Sequence, residues 1–357
     1  MSRHRPFNPN LLRFNPPSFS EDALNKVLTQ RYGIRGRLKH LAGERDQNTL
    51  VMADSGEHYV LKVHGPDESE AVVDFQVQAL LHLQRVDPEL SVPRQIPDLE
   101  GHQASRLNDQ EDRPHWVRLL SFIDGEPLDH YDHLDLPAIN ALGETAGRLC
   151  AAFRGFEHPA STVFMPWDPL NGIIFSQTLR EEYLPDAIKP IAEHHLERLL
   201  NDAISKIQEL PHQVTHHDAH PGNVICEKGQ PTRIAGVIDF GDLVCSPVIM
   251  DLSVALSNVL RHNEGILEST SAMVLGYAKF VTLTEQMLGL LYDSLCASYI
   301  MLVQLLSFRA RHHANDPEKL QQEDVAGAVS TALRFLEFDR NRFLDHVTKN
   351  HSPQHSA

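Results

Sequence analysis

His216-His217-Asp218-Ala219-His220-Pro221-Gly222-Asn223, followed by Val237-Ile238-Asp239-Phe240-Gly241-Asp242, is the stretch that decides how this chain is read. It holds a carboxylate, then an amide, then a second carboxylate, in the order that magnesium-dependent phosphoryl transfer from a nucleoside triphosphate requires. Short β-type runs flank Asp218, and Pro221-Gly222 supplies turn chemistry, so a tight loop should carry it. A carboxylate held there can accept the proton of an acceptor hydroxyl as the new O–P bond forms. Asn223 and Asp239 would offer hard oxygen ligands suited to Mg²⁺. Taken singly, an Asp or Asn in a loop is a turn residue, and the weight lies in the three occurring together.

Composition narrows the alternatives. The chain has 357 residues, a length for one large two-lobed domain or two smaller ones, and its formal charge of −16 argues against a nucleic-acid partner. The 4 cysteines, Cys150, Cys226, Cys245 and Cys296, show no CxxC spacing and point to small core residues in a reducing compartment. Leu290 to Phe308 is apolar but carries Asp293, Ser294, Ser298 and Gln304, so it reads as a buried helix, with no membrane partner. The start of the chain lacks the apolar run of a signal peptide, and a cytoplasmic protein is expected.

The pattern changes along the chain. Pro6, Pro9, Pro16 and Pro17 make residues 1–17 an irregular arm. A helix should start at Ser18 or Ser20 and end by Gly33. The runs at 48–52 and 58–63 flank the turn Asp54-Ser55-Gly56-Glu57 and read as a hairpin. A helix over 70–86 and strands near 101–107 and 115–123 complete a small lobe over residues 18–121. Residues 122–346 form a larger, mainly helical lobe. Its expected helices cover 136–153, 187–210, 247–260, 266–282, 285–312 and 324–346, with short strands at 214–216, 223–226 and 234–239. Residues 347–357 should be a flexible tail. The fold class is α+β: a protein-kinase-like bilobal fold with a small antiparallel-sheet lobe carrying one helix and a larger mainly helical lobe.

Lys62 interrupts the apolar run Val60-Leu61-Lys62-Val63, where an anionic phosphate is its natural target. A carboxylate partner should come from the following helix, with Glu70 and Asp74 both open. Gly43-Glu44-Arg45-Asp46-Gln47-Asn48 stands where a phosphate-covering loop belongs but has no GxGxxG, leaving backbone amides or Arg45 to touch phosphate. His216 and His220 flank Asp218 without the further ligand cluster of a zinc site and are read as loop support. The doublets His194-His195 and His312-His313 read as solvated helix faces.

On these residues, with Asp251-Leu252-Ser253, the chain resembles the aminoglycoside phosphotransferase superfamily, and its hydroxylysine kinase-like members most. The resemblance implies a five-stranded small lobe with one helix, Asp218 as catalytic base, Asn223 and Asp239 as magnesium ligands, and Lys62 as the phosphate contact. It implies GTP or ATP as donor and a small hydroxylated amine or amino acid as acceptor, 5-hydroxylysine first. Choline, ethanolamine, homoserine and aminoglycoside kinases are the alternatives, and a nucleotide-binding pseudokinase is the non-enzymatic one. Trp167-Asp168 resembles the family's substrate-lobe tryptophan motif. An amine-bearing acceptor would be met by anionic side chains, for which Asp242, Asp168 and Glu126 are candidates. The family usually has Gly where His217 stands, and an Arg that often precedes the tryptophan motif is missing.

Overall fold

The computed structural model describes residues 16–173, 183–312 and 322–351, which excludes most of the expected arm, the end of the tail and His313. The described chain divides into two compact units. One holds Phe14–Asp124 with His158–Ser161, and the other holds Gly125–Glu157 and Thr162 onward.

The first unit is built on α1 (Glu21–Val27), β1 (Gly36–Leu41), β2 (Gln47–Ala53), β3 (His58–Val63), α2 (Glu70–Val86), β4 (Gln95–Ile96), β5 (Ser105–Asn108) and β6 (Pro114–Ser121). Ser20 caps α1 by accepting the Ala23 amide, and Gly33 ends the helical segment in the left-handed region at φ 68°. The strands form one antiparallel sheet in the order β1-β2-β3-β6-β4, with β5 on β6. It has 6 strands rather than five, because Gln95 and Ile96 add a short strand on Leu120 and Leu119.

Alternation gives this sheet two unlike faces. Leu61, Val63, Val117 and Leu119 pack with Leu24, Val27, Leu28 and Tyr32 of the first helical segment. Lys62, His64 and Arg118 fall on the opposite parity. The unit runs to Asp124, where Phe122 donates its amide to the His58 carbonyl and Asp124 meets the His58 ring at 3.4 Å. His158 joins it by stacking on Phe75 at 5.1 Å and meeting Asp74 at 3.1 Å.

The second unit contains β7 (Glu126–Pro127), α3 (Leu136–Ala152), α4 (Lys189–Arg198), α5 (Ile204–Gln208), β8 (His212–Thr215), β9 (Val224–Glu227), β10 (Gln230–Val237) and β11 (Val244–Pro247). It continues through α6 (Val248–His262), α7 (Ile266–Tyr277), α8 (Glu285–His312), α9 (Gln322–Leu336) and α10 (Arg340–His351). The second unit departs from the sequence reading at several points. β11 pairs with β8, so Pro247 ends a strand before the helix begins. The single helix expected over 324–346 breaks where Asp339 caps a new one by accepting the Arg342 amide. The start of the tail expected from 347 is helical instead, since α10 runs to His351 with Val347 buried, and residues 352–357 lie outside the described residues. His195 is buried too, bonded to the Leu336 carbonyl at 2.8 Å rather than solvated. The apolar helix α8 is 89% buried over its most apolar window, as a core helix is.

α3 and α7 approach closely because glycines line the contact. A Cβ on Gly147 would lie 2.5 Å from the Tyr277 carbonyl oxygen, and one on Gly143 would lie 2.4 Å from that of Met273. Both obstacles are backbone, which cannot rotate away. Gly147→Ala is expected to push the helices apart and lower stability by about 1–3 kcal/mol, read from the midpoint of urea denaturation.

Candidate active site

Two loops of the larger unit carry the candidate residues, and the strands around them fix where they stand. Residues 216–223 run from β8 to β9, and residues 238–243 run from β10 to β11. β9 pairs with β10, β8 pairs with β11, and all four strands are antiparallel to their partners. Val224 faces Val237, and the Ile238 amide donates to the Asn223 carbonyl at 2.9 Å. Asn223 and Asp239 therefore leave the same end of one hairpin.

Within the first loop, Asn223 Nδ2 donates to the Asp218 carboxylate at 2.6 Å and to the Asp218 carbonyl at 3.0 Å. This uses the amide nitrogen and leaves Asn223 Oδ1 as the atom suited to a cation. The O/N assignment follows from those bonds. The Asp218 side chain is 27% exposed, and His220 Nε2 lies 3.5 Å from its Oδ1. His220 Nδ1 also accepts the Gly222 amide at 2.9 Å, closing the Pro221-Gly222 turn. His216 accepts the Asp218 amide on Nδ1 at 3.3 Å and packs edge-on against Phe240 at 4.7 Å. Burial pulls its pKa down to about 4, so it is neutral at physiological pH.

In each of these two loops one non-glycine residue sits in the left-handed region, His217 at φ 62° and Asp239 at φ 59°. Such a backbone costs a non-glycine residue about 1–3 kcal/mol and needs surrounding contacts to hold it. For His217 the contact is its own amide, which donates to Asp251 Oδ1 at 2.9 Å. Asp251 lies in the first turn of α6, and its Oδ2 accepts the Tyr277 hydroxyl at 3.1 Å. Asp239 Oδ1 accepts the Gly241 amide at 3.1 Å, and the residue is exposed.

In the smaller unit, Lys62 meets a different carboxylate from the one expected. Its Nζ lies 2.9 Å from Asp46 Oδ2, in the turn before β2, with the two side chains 8% and 11% exposed. Neither Glu70 nor Asp74 takes this role. Glu70 is 74% exposed and 3.7 Å from Arg106, and Asp74 is 54% exposed against His158. Geometry explains the difference: Asn48 on β2 pairs in register with Lys62, which brings the preceding turn over the lysine. Asp46 Oδ1 also lies 3.3 Å from His64 Nδ1, while Arg118 Nε donates to His64 Nε2 at 3.1 Å and Arg118 also reaches Gln76 of α2. Accepting from Arg118 puts the His64 proton on Nδ1, toward Asp46. Burial holds His64 neutral, at about 4. Burial would raise the Asp46 pKa, but Lys62 and His64 outweigh it and hold the carboxyl well below its ordinary 3.8.

The other candidates fall as follows. Asp168 is 5% exposed, accepts the Leu170 amide at 3.0 Å and lies 3.5 Å from His217 Nε2, so it faces the loop rather than solvent. Trp167 is half-buried against Tyr183, Met301, Leu305 and Phe308, with the Arg309 guanidinium 5.8 Å above its ring. Asp242 is 6% exposed. Glu126 is bonded to the Tyr131 hydroxyl at 2.7 Å and the Gly229 amide at 2.9 Å. Arg45 lies in the same turn as Asp46, where its charge lowers the burial-raised pKa of Glu68. Sequence reading missed the roles of Asp46, His64, Arg118 and Thr215. The available signal was parity: His64 stands two residues from Lys62 on the same strand face.

Residues 37–278 match the profile of the phosphotransferase enzyme family. Hydroxylysine kinase of Danio rerio is 23% identical over 283 residues, covering 75% of this chain and 78% of that protein. Among solved structures, a microcompartment-associated aminopropanol kinase superposes with a TM-score of 0.71 at 18% identity, over 93% of this chain and 99% of its own. An amicoumacin kinase solved with AMP-PNP, Ca²⁺ and Ami superposes with a TM-score of 0.68 at 19% identity, over 91% and 97%.

The Lys62–Asp46 pair makes a stability prediction. Asp46→Asn is expected to cost roughly 3 kcal/mol at neutral pH, since it breaks one side of a buried ion pair. A depressed carboxyl pKa contributes stability above the unfolded value and loses it as pH falls through the folded one. The gap between wild type and variant should therefore be full above 3.8 and close in stronger acid, as measured by denaturant titration across pH.

Proposed function

The chain belongs to the phosphotransferase enzyme family, and from that premise we propose that it transfers the terminal phosphoryl group of GTP or ATP to a hydroxyl of a small amine-bearing metabolite. We take 5-hydroxylysine as the first acceptor. The observation that carries the reading is the Asn223 amide fixed on the Asp218 carboxylate at 2.6 Å, with Asp239 at the same end of the hairpin. A nucleotide-binding module would have no use for a base held in that way.

The donor set fits Mg²⁺. It comprises one amide oxygen and one exposed carboxylate, and this ion favours one or two carboxylates completed by phosphate oxygens and water. Bound there, Mg²⁺ would offset the charge that builds on the phosphate oxygens as the terminal group leaves. The remaining work falls to the side chains. Lys62 is proposed to hold the non-transferred phosphates, with Asp46 fixing the direction of its ammonium group. Asp218 orients the acceptor hydroxyl and takes its proton. The hydroxyl oxygen then bonds to the terminal phosphorus as the bond to the bridging oxygen breaks, releasing the nucleoside diphosphate. His216, neutral and packed on Phe240, keeps the Asp218 amide in place without adding charge beside the base.

The choice of acceptor rests on the relative at 23% identity and on the site's anionic character. Asp168 faces His217, and Glu126 is bonded to Tyr131 and Gly229; Asp242, in the loop that carries Asp239, and Trp167 are the proposed acceptor contacts. We place the enzyme in the cytoplasm, where buried thiols such as Cys150 and Cys296, whose pKa values burial raises, stay reduced.

A coupled nucleoside-diphosphate assay tests the reading, run with ATP and GTP separately over amino alcohols, hydroxy amino acids and aminoglycosides. Turnover should appear with 5-hydroxylysine and stop in excess chelator. Asp218→Asn should lower kcat about 10²- to 10⁴-fold while nucleotide affinity holds. Lys62→Ala should chiefly raise the nucleotide KM. An Asp218→Asn enzyme with unchanged kcat would remove Asp218 from the reaction.

A further inference from the structure

We propose that His217 is a positioning residue whose imidazolium ties the Trp167–Asp168 segment to the catalytic loop, and that efficient use of the acceptor depends on this tie. The proposal rests on the phosphotransfer reading above. Its starting point is a residue in an unfavourable place. Position 217 adopts φ 62°, where glycine would be unstrained, yet the chain places there an imidazole whose side chain is 0% exposed.

The hydrogen bonds explain what the side chain does. The Thr215 hydroxyl lies 3.2 Å from His217 Nδ1 and 3.4 Å from the Val244 carbonyl; when it donates to that carbonyl, its oxygen can accept from Nδ1. The other ring nitrogen, Nε2, faces Asp168 Oδ1 at 3.5 Å. A ring that donates from both nitrogens is an imidazolium, and Nε2 facing a carboxylate with Nδ1 facing a hydroxyl oxygen suits that form. Its charge is also needed, because Asp168 from the 165–172 segment and Asp251 from α6 are both buried beside it, with Asp242 close enough to be felt. Near this cluster lie the Tyr277 hydroxyl on Asp251, the Cys150 thiol, which feels both Asp251 and Arg154, and Thr215; burial raises the Asp251 pKa as well. Burial alone would lower the His217 pKa, but the Asp168 contact and the three carboxylates outweigh it and raise it above 6.5.

The tie runs between two functional pieces. On one side His217 is bonded through the chain to Asp218. On the other, Asp168 accepts the Leu170 amide and follows Trp167, which is seated on the Tyr183, Met301, Leu305 and Phe308 cluster. A group with a raised pKa holds its contact at lower pH and releases it as pH rises through the folded value. The tie should therefore loosen on the alkaline side.

His217→Gly tests this directly, since glycine accepts the backbone conformation and removes only the ring. Kinetics are measured across pH for wild type, His217→Gly, Asp168→Asn and the double variant, with the acceptor found active in the panel. Wild type should lose kcat/KM for the acceptor along an alkaline limb above 6.5. His217→Gly should lack that limb and fall roughly 10- to 100-fold in this parameter, about 1.4–2.7 kcal/mol, with nucleotide KM nearly unchanged. Asp168→Asn should move the limb to lower pH, and the double variant should match His217→Gly. If His217→Gly fails to fold, the shift in Asp168→Asn carries the test. A limb that stays in place in either variant overturns the tie while leaving the phosphotransfer reading intact. A wild-type enzyme inactive across the whole panel, with nucleotide still bound, overturns that reading and the proposed role of the tie with it.

Discussion

The hydrogen bond from the His217 amide to the buried Asp251 carboxylate is the contact on which the larger unit's site depends. A non-glycine residue at positive φ does not hold its conformation unaided. Asp251 supplies the restraint, and is itself held by the Tyr277 hydroxyl. Tyr277 reaches it because Gly143 and Gly147 let α7 lie against α3 with no side chain between their backbones. A helix contact thus sets the direction in which the chain leaves His217, and with it the position of Asp218. The pairing of β8 with β11 fixes the outer ends of both loops, and the β9–β10 hairpin fixes the inner ends.

The smaller unit solves a different problem, that of keeping a lysine in the sheet interior. Its sheet has an apolar face against the first helical segment and a polar face carrying Lys62, His64 and Arg118. Taking such groups out of water is costly unless they are paired and hydrogen-bonded. Asp46 serves two of them at once, and a neutral His64 relays contact from Arg118, which in turn touches α2 through Gln76. The helix is linked to Lys62 through this chain of polar contacts rather than through a carboxylate of its own.

These two solutions explain what was legible in the sequence. Elements with strong local signals were readable: the Ser20 cap, the Asp54–Glu57 hairpin and the 17 residues of α2. So was the grouping of Asp218, Asn223 and Asp239, because short chain separations force them together once the strands between them pair. What failed depended on register or on distant packing. The partner of Lys62 was sought on the next helix, whereas strand pairing places Asn48, and so the turn holding Asp46, beside it. Asp168 was named for its negative charge as a candidate for an amine-bearing acceptor, and its contact with His217, which distant packing makes, was not legible. The two-residue strand at Gln95–Ile96 has no periodicity to detect.

The adjacent histidines of the catalytic loop show how fully environment governs charge. His216 and His217 are equally buried, each 1% exposed, and burial alone would leave both neutral. His216 packs on Phe240 and accepts an amide proton, and the pull of Asp239 and Asp242 does not repay the burial cost of charging it. His217 lies between Asp168 and the Asp251 that holds its amide, with Asp242 adding to the field, and the charged ring relieves carboxylates that would otherwise be buried in excess. The same reasoning applies to His64, which stands beside one carboxylate but also beside Lys62 and Arg118, and stays neutral. In each case the sign is set by the balance of neighbouring charges. That balance comes from residues distant in sequence, which is why three histidines that look alike in the chain have pKa values displaced in opposite directions in the fold.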